Sequence, residues 1–104
     1  MPKQVLPVAT RLPRDVEVFC RENELRSALT DFIRLVGESL PVVGRPRVRI
    51  QQDQESEACW IVVDATVKGP ASKALAAYRA LVTRTVLSIP EAARSRIRLS
   101  VEVD

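Results

Sequence analysis

The closing stretch Arg96-Ile97-Arg98-Leu99-Ser100-Val101-Glu102-Val103 alternates polar and apolar residues without a break. A period of two is the pattern of a β-strand with one buried face and one wet face. It predicts Ile97, Leu99, Val101 and Val103 facing a core, with Arg96, Arg98, Ser100 and Glu102 facing out. The fold therefore closes on a strand, and the outer face of its sheet carries arginine.

Upstream, two shorter alternations supply strands for it to join. Arg47 to Gln51 places Val48 and Ile50 inward and Arg47, Arg49 and Gln51 outward. Ala58 to Val67 places Ile61, Val63, Ala65 and Val67 on one face and Trp60, Val62, Asp64 and Thr66 on the other. Both faces of that second strand start apolar, as expected of a central strand. The polar run Gln52 to Glu57 joins the two as a long hairpin turn.

Helical periodicity fills the remainder. Pro13-Arg14-Asp15 opens a helix, with proline suited to a first turn and Asp15 to the positive end of the helix dipole. Asn23 is the natural break, because asparagine tolerates a left-handed cap. A second helical stretch runs from Glu24 to Leu40 on the stripe Leu25, Ala28, Leu29, Phe32, Ile33, Val36 and Leu40. Residues 14–40 form either one kinked helix or two. Lys68-Gly69-Pro70 turns the chain into a helix over Ala71 to Ser88, whose apolar set is Ala71, Ala74, Leu75, Tyr78, Leu81, Val82 and Thr85/Val86. Pro90 breaks it, and a short extra turn over Pro90 to Arg94 leads into the last strand.

The expected fold class is α+β: a two-layer sandwich with a three-stranded sheet and helices on one face, in the order α(α)ββα(α)β. A single domain occupies 13–104, which is enough chain for one core. Residues 1–12, with Pro2 and Pro7 flanking Val5 and Leu6, read as an extended arm that lies on the domain or on a partner. In element order the chain resembles the type II KH fold and the similar BolA fold. The Gly-x-x-Gly loop of KH domains would fall near Ser88 to Arg94, where there is no glycine, and the histidine of BolA proteins has no counterpart. The resemblance therefore implies architecture and not activity.

Composition narrows the chemistry. Hydrophobic residues at 46% exclude a disordered chain, and a net charge of +3 is low for a dedicated nucleic-acid binder. The chain has no histidine, which removes Ser-His-Asp and Cys-His catalysis. Two cysteines, Cys20 and Cys59, cannot supply a four-ligand zinc site, and both read as buried reduced thiols. The glycines Gly37, Gly44 and Gly69 stand singly, so no phosphate-cradling loop exists. Asp53, Glu55 and Glu57 read as a solvated turn rather than a cation loop. Asp64, an acid in an apolar strand, calls for a cross-strand partner such as Arg49 or Arg98. A catalytic role for Asp64 or for Cys59 would need a second group, and none is identifiable. No run approaches the roughly 20 apolar residues that span a bilayer, and no signal-peptide pattern opens the chain.

One constellation remains. The outer sheet face should carry Arg47, Arg49, Gln51, Trp60, Val62, Asp64, Thr66, Arg96 and Arg98. Arginines around an aromatic ring suit a protein-interface hot spot or a base-stacking platform. A lone ring favours the protein interface, since RNA-binding sheets usually stack two or three bases. The expectation is a non-enzymatic cytoplasmic interaction domain, without cofactor or metal, from a bacterial source by its arginine-over-lysine bias. It would bind a protein partner or itself through Trp60, Arg47, Arg49, Asp64, Arg96, Arg98, Val5 and Leu6, or through an open edge strand. A homodimer and an antitoxin-like accessory subunit are two versions, and RNA binding through the Arg/Trp face is the alternative.

Overall fold

The computed structural model describes residues 12–104. Residues 1–11, including Val5 and Leu6 of the expected arm, lie outside the described residues. The order is α1 (Arg14–Asn23), α2 (Arg26–Ser39), β1 (Arg47–Gln52), β2 (Cys59–Val67), α3 (Ala71–Ser88), α4 (Glu91–Arg94) and β3 (Ile97–Val103). The strands form one mixed sheet in the order β1-β2-β3, with β1 antiparallel and β3 parallel to β2. The α+β fold expected from the sequence is the one observed.

The span 14–40 resolves into two helices. Asp15 and Glu17 lie in the first turn of α1 and Arg21 in its last, each at the end the dipole favours. The left-handed residue that stops α1 is Glu24 (φ 56°), one position after the expected Asn23. Asn23 instead turns its amide back, donating from Nδ2 to the carbonyl of Phe19 at 2.9 Å. The Leu25 N–H then bonds the carbonyl of Cys20 at 2.8 Å, which closes α1 and starts α2 in a new direction.

The core is the seam between helices and sheet. Val16, Leu29, Val36, Ile61, Val63, Val67 and Leu81 are fully enclosed. Ile61, Val63, Ala65 and Val67 all bury the inward face of β2, as alternation requires of a central strand. The helix α1 packs on β1, and α2 contacts both α1 and α3. The helical layer therefore runs α1, α2, α3 across the sheet. The helix α3 is the crossover between the parallel strands β2 and β3, and such connections are right-handed. It covers the β2–β3 half.

One surface clamp fixes α3 against α2. Arg84 donates from Nη2 to Glu38 Oε1 at 2.9 Å and from Nη1 to Ser39 Oγ at 2.8 Å. The hydrogen bond from Arg84 is the main cause that holds the Glu38 carboxyl below its usual value, and Arg34 adds to it. A carboxyl with a depressed folded pKa contributes stability above its unfolded pKa and loses it as pH falls through the folded value. Arg84→Met should raise the Glu38 titration midpoint, followed by side-chain NMR, toward that of ordinary glutamate. A midpoint unchanged by the substitution would remove the clamp.

Candidate interaction surface

The register of β1, β2 and β3 sets the outer face row by row. Arg49, Val62 and Arg98 are aligned across the three strands, and Arg47, Asp64 and Ser100 form the next row. Val62 is buried although it lies on this outer face, flanked in register by the two arginines. Arg49 donates from Nε to Asp64 Oδ2 at 2.8 Å and from Nη2 to Oδ1 at 3.4 Å. Its third contact runs from Nη1 to Gln51 Oε1 at 2.7 Å. The Asp64 carboxylate, by accepting these bonds, raises the Arg49 pKa further. Asp64 is thus a cross-strand ion-pair partner, and it pairs with Arg49 rather than Arg98.

Arg98 has another task. Its guanidinium carbon lies 3.9 Å from the centroid of the Trp60 ring, a close cation–π stack. One face of the indole is therefore covered by the chain itself. Arg47, Arg49, Trp60, Asp64 and Arg98 are brought together as the sequence suggested.

Arg96 is not among them. Its guanidinium carbon lies 5.1 Å from the centroid of Phe19, on α1. The backbone explains the departure from alternation. The Arg96 N–H still bonds the carbonyl of Ala93 at 3.0 Å, so the residue belongs to the exit of α4. Its carbonyl already accepts from the Ile61 N–H at 2.8 Å, but the strand and its register with β2 begin at Ile97, and the period of two begins there with them.

The remaining candidates are ordinary. Asp53 Oδ1 accepts from the Glu55 N–H at 3.0 Å and Oδ2 from the Ser56 hydroxyl at 3.0 Å. These bonds hold its carboxyl below the usual range and make the loop a self-capped turn. Among the described residues no group of three or more acidic or cysteine side chains could hold a metal ion. Both cysteines are free. Burial pushes the Cys20 thiol up. Cys59 is only half-buried, unlike the expectation, because it starts β2 at the rim of the sheet.

The surface that sequence reasoning missed lies on α3. Leu75, Tyr78, Val82 and Val86 stand 51%, 38%, 43% and 51% exposed. They were expected in one core stripe with Ala74 and Leu81, and only Ala74 and Leu81 are buried. Residues 75, 78, 82 and 86 recur at helical spacing and form a continuous apolar ridge. Arg84 reaches α2 from one flank of α3. Val82 precedes it by two residues, about 200° of helical turn. The ridge therefore lies on the opposite flank, away from α2; since α1 packs on β1 and α2 lies between α1 and α3, that is the flank toward β3. No protein-family model matches the chain, and neither a curated protein nor a solved structure matches it.

Two features meet on this side of the molecule. Among the described residues no strand pairs with the outer edge of β3, so alternate residues of the strand offer backbone donors and acceptors there. The ridge offers aliphatic and aromatic side chains beside them. Backbone pairing and apolar burial together are the ingredients of strand-edge docking. On the outer face, by contrast, Arg49 and Trp60 already have partners within the chain.

Proposed function

We propose that this chain is a small protein-interaction domain that docks its partner on the flank built by α3 and the open edge of β3. The exposed ridge Leu75, Tyr78, Val82 and Val86 carries the proposal. Exposed apolar side chains scattered singly need no explanation, whereas a contiguous patch marks a binding site. The free thiols fit a reducing compartment, which supports a cytoplasmic setting. Among the described residues no helix is long and apolar enough to cross a membrane.

RNA binding through the outer face is the weaker reading. A base would have to displace Arg98 from Trp60, and Asp64 neutralises Arg49. Arg47 and Arg98 would then carry the phosphate contacts.

A photo-crosslinking amino acid at position 75 or 86 tests the proposal in living cells. Ultraviolet light should produce a discrete protein adduct from either position. The same group at exposed Thr30 on α2 should produce none. RNA crosslinks that vanish in Arg47→Ala and Arg98→Ala variants, with no adduct from 75 or 86, would overturn it.

A further inference from the structure

We infer that the partner is a second copy of this chain, joined through β3 about a two-fold axis at Ser100. This rests on the docking reading above and names the occupant. Two chains joined by their β3 edges would double the three-stranded sheet.

The composition of β3 favours such a union. The strand runs Ile97 to Val103, so Ser100 is its midpoint. Antiparallel pairing about that midpoint sets Ile97 against Val103, Arg98 against Glu102, and Leu99 against Val101. The outer face then gains two ion pairs, Arg98 of one protomer with Glu102 of its partner and the reverse. The inner face matches aliphatic with aliphatic. Among the described residues Glu102 makes no ion pair within its own chain. Pairing with a second copy supplies one. The Arg98 guanidinium carbon lies 3.9 Å from the Trp60 centroid, and among the described residues Arg98 makes no ion pair, so its N–H groups are available to donate.

The backbone agrees with this register. The Arg96 carbonyl accepts from the Ile61 N–H, and the Asp104 N–H donates to the Val67 carbonyl, so even-numbered residues bond β2. The N–H and C=O groups of Ile97, Leu99, Val101 and Val103 therefore face the free edge. In the proposed register these four meet one another as hydrogen-bonded pairs. Arg98 and Glu102 fall at non-hydrogen-bonded positions, where opposing side chains come closest.

Neighbouring registers do less well. Centring on Arg98 sets arginine against arginine, and centring on Glu102 sets glutamate against glutamate. Like charges directly opposite are destabilising. Centring on Leu99 sets Arg98 against Ser100 and leaves Val103 beyond the end of the partner strand. Centring on Val101 sets Glu102 against Ser100 and leaves Ile97 unpaired. Only the Ser100 axis pairs every residue of the strand and both charges. The outer edge strand on the other side, β1, carries Arg47 and Arg49 and no acid, so it lacks this self-complementarity.

The ridge agrees with the strand. A two-fold axis perpendicular to the sheet keeps both helical layers on one side and lays α3 antiparallel to its copy across the interface. The ridge then packs on itself, Leu75 toward Val86 of the partner subunit and Tyr78 toward Val82 of the partner subunit. An acidic helix is the rival occupant, since α3 holds Lys73, Arg79 and Arg84 and no acid. The balanced charge of β3 favours the second copy.

Sedimentation equilibrium of the full chain tests the inference with two single variants. Wild type should give twice the chain mass. Arg98→Glu and Glu102→Arg each set like charges opposite and should raise the dissociation constant about tenfold or more. An equimolar mixture of the two should recover a heterodimer, because each charge then meets its opposite. Circular dichroism of each variant confirms that it is folded, and recovery in the mixture cannot come from misfolded chains. Single variants that dimerise as well as wild type would overturn the β3 register. A monomeric wild type at high micromolar concentration would overturn the second copy. Adducts from positions 75 and 86 to a different protein would, in that case, leave the docking reading standing.

Discussion

Leu29→Ala should lower the free energy of unfolding by about 3–5 kcal/mol. Leu29 is fully enclosed on α2 and belongs to the cluster that joins helices to sheet. Removing its branched end forfeits the transfer free energy of the lost carbons and leaves a cavity that close-packed neighbours fill only in part. A domain of this size has a total stability of about 5–15 kcal/mol, so the loss is a large fraction of it. Urea unfolding measures it as a fall in midpoint at constant slope. Leu87→Ala is the matched control. Leu87 is 81% exposed at the end of α3, and its truncation should change stability by no more than about 0.5 kcal/mol. A loss below about 1 kcal/mol at Leu29 would show that α2 does not cover the sheet in this way.

Val63→Asp should abolish the fold at neutral pH, whereas Val62→Asp should leave it standing. The two residues are adjacent in sequence and both are buried. Their faces differ. Val63 points into the apolar seam, where no described charged or polar residue is buried. A carboxylate there must be ionised without a partner or protonated, and either costs several kcal/mol. Val62 lies between Arg49 and Arg98 in the register of the outer face. A carboxylate at 62 would find guanidinium groups on both sides, and its cost should stay within about 1–2 kcal/mol. Circular dichroism and thermal melting separate the outcomes. Equal damage at both positions would contradict the assignment of faces.

Much of this architecture is legible in the residues themselves. Alternation in Ile97 to Val103 and Cys59 to Val67 marks the strands because each has one face set by the core. The clean apolar stripe of α2 predicts burial of Leu29, Phe32 and Val36, and all three are buried. The acid in β2 predicts an arginine partner, and Arg49 is that partner. The departures have local causes. Glu24 takes the left-handed position because the change of direction between α1 and α2 requires it there, a demand of packing rather than of propensity. Arg96 leaves the alternation because it still belongs to the turn of α4. The ridge on α3 reads as core from the sequence because periodicity reports which residues share a face and not how wide a face the sheet can cover. Its signal is the breadth of the apolar arc, from Ala77 round to Val86, about half the helix circumference. An arc that broad exceeds what one sheet contact can bury.

The stack of Arg98 on Trp60 gives the molecule a built-in optical reporter. Trp60 is the only tryptophan. Its indole sits on the outer face of β2, against a side chain from β3. Intrinsic fluorescence therefore follows the union of those two strands and not the helical core. Far-ultraviolet dichroism, dominated by the helices, follows the other layer. Coincident transitions by the two signals would mean that both layers melt as one cooperative unit. Separated transitions would mean that the sheet edge can open while the helices persist.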